Sequence, residues 1–346
     1  MNRILILGPL PHQNHPRTYG GATIAMQNLV DYCSRNNISH GFIQTNKYVS
    51  QRIPMTPVNL LYVLSILAVR IHRYDVVMLN VSSRGALFSG SLIYAVCRLF
   101  RKKTVFRKFG GAWETLLNGK NRAVRNRTVE SLMKSNLILV ETKQMIKYLH
   151  DGNISNTLWF PNVRKAPRTQ PAISQGFSKK FVFISQVTRD KGIPEIIRAA
   201  EMLSADYTVD IYGPIRDHTL SEKTFLHSGV NYKGALTPGQ VVATLKEYDV
   251  LMLPTYYKDE GYPGIIIEAL SLGIPVISTR FRSIPEIIDE KNGILVKPRD
   301  HQDLYHAISR FTEENILSYR QAALRSFSSF NEDTVYASAL KAMYSL

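Results

Sequence analysis

The chain has 346 residues, 45% hydrophobic and 20% charged, with 43 Lys and Arg against 27 Asp and Glu for a formal net charge of +16. That length is too great for one comfortable core and enough for two domains, and the composition excludes a disordered or fibrous chain. Two cysteines, Cys33 and Cys97, lie in apolar helical contexts. They exclude a disulfide framework and suit a reduced compartment.

The start, Met1-Asn-Arg-Ile-Leu-Ile-Leu-Gly8, holds too short an apolar run for a signal peptide and reads as a first buried strand. Further strands are predicted at Gly41–Thr45, Val76–Asn80, Thr104–Phe109, Leu137–Glu141 and Thr157–Phe160. Helices fall between them, most clearly at Ala22–Arg35, Ala86–Phe100 and Thr142–His150. Apolar runs alternating with amphipathic helices are the pattern of a parallel sheet covered by helices. Gly20-Gly21 stands before the first helix, where the chain can run close under a ligand or simply turn. Val58 to Val69 is the longest apolar stretch, 12 residues, which falls short of the ~20 needed for a membrane span. Phe106-Arg-Lys-Phe-Gly-Gly-Ala-Trp113 closes the fourth strand, with Arg107 and Lys108 followed by Gly110 and Gly111. They are either anion-binding residues or a cationic strand end on the surface.

Charge is unevenly placed. Residues 1–162 carry 21 Lys and Arg against 6 Asp and Glu, a net of +15, whereas residues 163–346 carry 22 against 21, a net of +1. An anionic partner is expected for the first half. Arg98, Arg101, Lys102, Lys103, Arg107 and Lys108 cluster, as do Lys120, Arg122, Arg125 and Arg127, and the Val58–Val69 helix ends near Arg70 and Arg73. An apolar face bordered by cations reads as a membrane-surface patch. No recognition helix, zinc spacing or aromatic platform accompanies the charge, so no nucleic acid is expected.

Arg164 to Lys179 is rich in Pro, Ser, Gln and Gly and reads as a linker. A second alternating series follows, with strands at Phe181–Ser185, Thr208–Tyr212, Val230–Tyr232, Asp249–Leu253, Val276–Ser278 and Ile294–Val296, and a closing helix near Asp333–Ser345. Within it, Asp259-Glu-Gly-Tyr-Pro-Gly-Ile-Ile-Ile-Glu268 sets Glu260 and Glu268 eight positions apart across a loop-to-helix junction. Pro263 suits the first turn of a helix. A helix begun there leaves the N–H groups of Gly264 and Ile265 unpaired, and with the helix dipole these make an anion seat for phosphate. The bland alternative is a solvated loop acid and a polar helix face. Gly261, Gly264, Gly273, Pro275, Pro285, Glu286 and Gly293, all in step with the acids, favour the site.

This run resembles the donor-sugar signature of the retaining glycosyltransferases of family 4, which have the GT-B fold: two Rossmann-like, doubly wound parallel-sheet domains facing a cleft. The resemblance implies that Glu260 lies beside the transferred sugar and that Glu268 binds the ribose of the nucleotide. Ser185-Gln-Val-Thr-Arg-Asp-Lys-Gly192 resembles the family's phosphate clamp, with Lys191 in place, Gln186 where an Arg is usual, and Arg189 as its stand-in. The family's His near the acceptor is missing, with Arg107 or Lys108 in its stead. Gly20, Gly21, Gly213 and Gly234 match positions that pack around the donor.

The resemblance implies an acceptor domain over residues 1–162, with a helix from about 331 to 346 crossing back onto it, and a donor domain over 163–330. The expected reaction moves a sugar from a nucleoside-diphosphate sugar to a lipid-linked saccharide in bacterial surface-polysaccharide synthesis, capsule or O-antigen. The expected setting is cytoplasmic, peripheral on the inner face of the membrane. No Asp-x-Asp pair follows a strand and no His/Cys cluster has ligand spacing, so neither metal nor cofactor is expected. A nucleotide-sugar epimerase of the same fold and a non-catalytic saccharide- or nucleic-acid-binding protein are the alternatives.

Overall fold

The structure, a computed structural model, describes residues 3–12, 20–48, 56–82, 85–110, 126, 130–167, 173–226 and 228–346. The chain divides into two compact units: Met1–Pro161 with Val335–Leu346, and Asn162–Thr334.

The first unit is built on β1 (Ile4–Gly8), β2 (His40–Gln44), β3 (Val76–Val81), β4 (Lys103–Lys108), β5 (Leu137–Val140) and β6 (Thr157–Trp159). They form one parallel sheet in the order β2-β1-β3-β4-β5-β6. β1 and β3 are buried along their whole length, as expected of parallel strands covered on both faces. The helices are α1 (Gly21–Arg35), α2 (Thr56–Arg70), α3 (Ser91–Leu99) and α4 (Lys143–Asp151). The helix expected over Ala86–Phe100 divides into a π turn, Ala86–Gly90, and α3. Thr142, expected as the first residue of its helix, instead caps α4, its Oγ1 accepting from the Met145 N–H at 3.2 Å.

The second unit holds β7 (Lys180–Ile184), β8 (Thr208–Tyr212), β9 (Asn231–Tyr232), β10 (Val250–Leu253), β11 (Val276–Thr279) and β12 (Gly293–Val296). Its parallel sheet runs β12-β11-β10-β7-β8-β9. Helices α5 (Ile193–Ala200), α6 (Pro238–Leu245), α7 (Gly264–Ser271), α8 (His301–Ser309) and α9 (Glu313–Ser326) connect and cover it. The last helix, α10 (Glu332–Tyr344), joins the first unit from Val335 onward. There Tyr336 is buried against the rings of Tyr32 and Phe160, at 4.8 and 5.7 Å.

Both sheets are doubly wound, as the sequence pattern predicts. Each has one place where successive connections leave in opposite directions: between β1 and β3 in the first unit, between β7 and β10 in the second. Open α/β sheets bind ligands beyond the strand carboxyl ends at that divergence.

Candidate active site

In the second unit the divergence is flanked by the segments leaving β7 and β10. After β7 the chain makes a one-turn 3-10 helix, Arg189–Lys191, and Gly192 then opens α5 with φ 87°. A Cβ on Gly192 would lie 2.4 Å from the Pro254 carbonyl oxygen, so only glycine allows this close approach to the loop leaving β10. Backbone bonds fix the approach: the Tyr256 N–H donates to the Asp190 carbonyl at 2.7 Å.

The approach brings Lys191 to Glu260. Lys191 Nζ donates to Glu260 Oε2, and the two side chains are 14% and 9% exposed. Thr255 Oγ1 donates to the same oxygen at 2.8 Å, and the Tyr257 ring lies beneath the ammonium with its centroid at 5.0 Å. Glu260 Oε1 has no donor among the described residues. Burial, then the nearby Asp259 carboxylate, pushes the Tyr257 phenol above its ordinary pKa.

Glu268 sits on α7, whose start differs by one residue from expectation. Pro263, with φ −62° and ψ 123°, is the N-cap rather than the first helical residue, and α7 opens at Gly264. The Pro263 carbonyl receives the Ile266 N–H at 3.1 Å. The Gly264 and Ile265 N–H groups therefore precede the first helical bond and stay free for an anion. Gly261 lies half-buried between Glu260 and Tyr262, and Tyr262 donates its hydroxyl to Glu286.

Glu268 has a partner that the sequence did not indicate. Its Oε1 accepts from Arg164 Nε at 2.5 Å, with the side chains 22% and 18% exposed. Arg164 Nη1 donates to Asn162 Oδ1 at 3.0 Å and to the Val163 carbonyl at 2.9 Å, and Asn162 Nδ2 donates to the Tyr262 carbonyl at 3.2 Å. The guanidinium rests on Gly264, where an added Cβ would lie 1.9 Å from Nη2. Arg164 is also bonded through its backbone, N–H to the Phe330 carbonyl and carbonyl from the Glu332 N–H, both at 3.1 Å. Arg164 is thus a pinned residue of the site and not the head of a linker.

The remaining expected donor residues fall as follows. Arg189 is exposed, like Gln186; its backbone N–H reaches Asp217 at 3.2 Å, and its guanidinium makes no ion pair among the described residues. Gly213 and Gly234 are neighbours beyond β8 and β9, joined by an N–H to carbonyl bond of 2.8 Å. On α5, burial raises the pKa of Glu195 against the opposing influence of Arg198, Arg299 and Arg189, and its Oε2 is buried without a donor among the described residues.

In the first unit a cavity of about 610 Å³ opens at the divergence of β1 and β3. Leu60, Val63, Ile93 and Phe109 supply its apolar wall, and no charged side chain lines it among the described residues. Two asparagines hold its rim. Asn59 bonds both the N–H and the carbonyl of Tyr48, at 2.8 and 2.9 Å, and Asn46 does the same for Leu10, both at 2.9 Å. Gly20 caps α1 beside this cavity, and a Cβ on Gly20 or Gly21 would meet nothing within 4 Å.

Arg107 and Lys108 are not surface cations. They are 6% and 2% exposed at the end of β4. The Arg107 guanidinium lies against the rings of Phe109 and Phe160, at 4.7 and 4.5 Å, with Nη1 buried and unpartnered among the described residues. Burial lowers its pKa, opposed by Tyr336 and Glu141. Lys108 Nζ donates to the Gly110 carbonyl at 3.1 Å. Neither therefore adds to the basic surface cluster expected with Arg98, Arg101, Lys102 and Lys103: the cation–ring packing and the local carbonyls draw both inward. Gly111, Lys120, Arg122, Arg125 and Arg127 lie outside the described residues.

Known proteins resemble this chain in sequence and in fold. The family described as Glycosyl transferases group 1 matches residues 170–324. The putative teichuronic acid biosynthesis glycosyltransferase TuaC of Bacillus subtilis (strain 168) is 34% identical over 139 residues, 39% of this chain and 33% of that protein. The match thus spans about a third of that relative's length. Sucrose-phosphate synthase (tll1590) from Thermosynechococcus elongatus superposes with a TM-score of 0.74 at 16% identity, covering 99% of this chain and 98% of that one. Anabaena Alr3699/HepE in complex with UDP and glucose gives 0.71 at 14% identity over 100% of both chains. At such identities these two likenesses show the fold.

Proposed function

We propose, from a chain whose residues 170–324 match the group 1 glycosyl transferases and whose fold is GT-B, that the protein transfers a sugar from a nucleoside-diphosphate sugar to an acceptor with retention at the anomeric carbon. The observation that carries this reading is the Lys191–Glu260 pair at the β7/β10 divergence, with the free α7 N–H groups and Glu268 alongside. The diphosphate lies against Lys191 and the N–H groups of Gly264 and Ile265. Glu260 Oε1 receives a hydroxyl of the transferred sugar, and Glu268 receives the ribose. Lys191 gives one of its three N–H bonds to Glu260 and keeps two for phosphate. The Anabaena neighbour was solved with UDP and glucose, a ligand class that suits these groups.

In the reaction the bond from the anomeric carbon to the diphosphate oxygen breaks, and negative charge gathers on the leaving phosphate. The acceptor oxygen attacks the same face, and its proton passes to the leaving oxygen. Charge-assisted hydrogen bonds contribute about 1.5–3 kcal/mol each and a helix terminus about 0.3–2 kcal/mol. Electrostatic stabilisation aimed at the developing charge is therefore the main contribution, and it needs no metal.

The acceptor is a lipid-linked saccharide bound by the first unit, in surface-polysaccharide synthesis; the TuaC relative is named for teichuronic acid biosynthesis. The neutral, apolar cavity suits an uncharged sugar or the first isoprene units of a carrier. Leu61, Val69 and Leu99 are 70%, 68% and 79% exposed, close in sequence to Arg70, Arg73, Arg98 and Arg101. Apolar side chains bordered by cations dock on anionic lipid, each cation adding roughly 1 kcal/mol. The site of action is then the inner face of the cytoplasmic membrane.

A thermal-shift panel of UDP, GDP, ADP, dTDP and CDP tests the donor site, since a ligand of the native state raises the melting temperature. One nucleotide is expected to stabilise the protein, and Lys191→Ala to remove the shift. No shift with any of the five refutes the reading. Sedimentation with phosphatidylglycerol vesicles at low salt tests the membrane setting: protein left in the supernatant refutes it.

A further inference from the structure

Each acid of the candidate site has its own cation, and only one of those cations was expected. Glu260 is held by Lys191, Glu268 by Arg164. We propose that Arg164 is a donor-positioning residue: it neutralises Glu268 and presents its free Nη2 to the diphosphate at the start of α7. This rests on the reading of the second unit as a nucleoside-diphosphate-sugar site, and it adds to that site a residue 104 positions away from its signature.

Three observations carry the inference. Arg164 uses Nε for Glu268 and Nη1 for Asn162 and Val163, so Nη2 is the end left without an acceptor among the described residues. Nη2 is also the atom that lies over Gly264, where a Cβ would come within 1.9 Å, so the free end of the guanidinium rests on the first residue of α7. Glu268 likewise spends Oε1 on Arg164 and keeps Oε2. The pair thus offers an acceptor and a cationic donor within one span. An acceptor fits a ribose hydroxyl, and a cationic donor fits a phosphate oxygen.

Electrostatics gives the pair its purpose. A bare carboxylate one turn into a helix that must seat a diphosphate would repel it, and a guanidinium bonded through Nε removes that repulsion without occupying the whole carboxylate. The exposed Arg189 is then not needed as the second cation of the clamp. Arg164 is held for the task by its own backbone bonds to Phe330 and Glu332, so its side chain starts from a fixed point.

Isothermal titration with UDP, GDP, ADP, dTDP and CDP, and with the matching nucleoside of whichever binds, tests the proposal on the full chain. Arg164→Ala is expected to weaken the diphosphate about tenfold to a hundredfold while changing the nucleoside no more than about twofold. Arg164→Lys should recover part of the loss, and on a Glu268→Gln background the Arg164→Ala effect should shrink. A merely structural arginine would weaken nucleoside and diphosphate alike. Equal weakening of both ligands, or a diphosphate affinity unchanged in Arg164→Ala, overturns the inference while leaving the donor site standing. Failure of the wild-type protein to bind any of the five refutes the donor site itself, and this proposal with it. Should Arg164→Ala not fold, Arg164→Gln keeps the stem and a donor without the charge and carries the same expectation.

Discussion

Each unit buries an arginine, and the two are handled in opposite ways. Arg320, on α9, is 5% exposed and fully engaged: it donates to Asp249 Oδ1 at 2.5 Å and to the carbonyls of Ser174 and Gly176 at 2.7 and 2.8 Å. Arg107, on β4, is 6% exposed, lies against two aromatic rings and leaves Nη1 unpartnered among the described residues. The second unit carries almost no net charge, yet its buried Asp249 and Glu260 are each paired with a base. The first carries nearly all the excess charge, yet its cavity is lined by neutral groups among the described residues. Net charge therefore says where a surface is basic and nothing about where charge does chemistry.

The comparison breaks first at Arg320. Arg320→Ala strands the Asp249 carboxylate, 8% exposed, with only the N–H groups of Ser178 and Lys180 at 2.9 and 3.0 Å. Breaking a buried pair from one side costs about 3–5 kcal/mol. Urea unfolding should show a loss of that size, and a loss below about 1 kcal/mol would mean the pair is incidental. Next comes Lys191→Ala. Removing an electrostatic stabiliser of the departing group lowers turnover about 10²–10³-fold. With whichever nucleotide sugar the binding panel selects, kcat should fall by that factor. A kcat within about threefold of wild type, with only KM raised, would make Lys191 a binding residue alone.

The same contrast explains what could be read from sequence. Alternating apolar runs and helices exposed both doubly wound sheets, because burial on both faces forces continuous Val, Ile and Leu segments such as Ile4–Leu7 and Val250–Leu253. Lys191, Glu260 and the start of α7 were legible since each sits at a strand end or helix start with local grammar, including Gly192 and Pro263. Arg164 was not: its partner Glu268 is distant in sequence, and the polar, Pro-rich stretch behind it reads as a tether. Arg107 and Lys108 misled for a related reason. Two cations at a strand end look solvated until Phe160, more than fifty residues on, closes over the first and the Gly110 carbonyl takes the second.

The smaller effects sharpen the contrast. Arg107 makes no ion pair among the described residues, and burial disfavours its charge. Replacing such a cation with an apolar residue of similar length is close to neutral or stabilising. Arg107→Met should therefore change unfolding stability by less than about 1 kcal/mol. A larger loss would show that stacking on Phe109 and Phe160 outweighs desolvation. Unchanged stability with lost transfer to the acceptor would instead assign Arg107 a functional role.

Glu195 offers the finest test, because it is the acid of the second unit whose charge is not well matched. Its Oε2 has no donor among the described residues, and burial raises its pKa despite three nearby arginines. A carboxyl whose folded pKa lies above its unfolded value favours folding in the protonated form. Its contribution is fully present below the unfolded pKa and is lost as pH rises through the folded one. Glu195→Gln removes that dependence. The variant should be more stable than wild type at pH 8, by less than about 1 kcal/mol given the half-buried side chain. The difference should vanish by about pH 4, where the wild-type carboxyl is also protonated. Urea midpoints at the two pH values decide it: a constant gap would mean that the change acts through packing, and a wild type that gains on the variant as pH rises would mean that the three arginines hold Glu195 ionised.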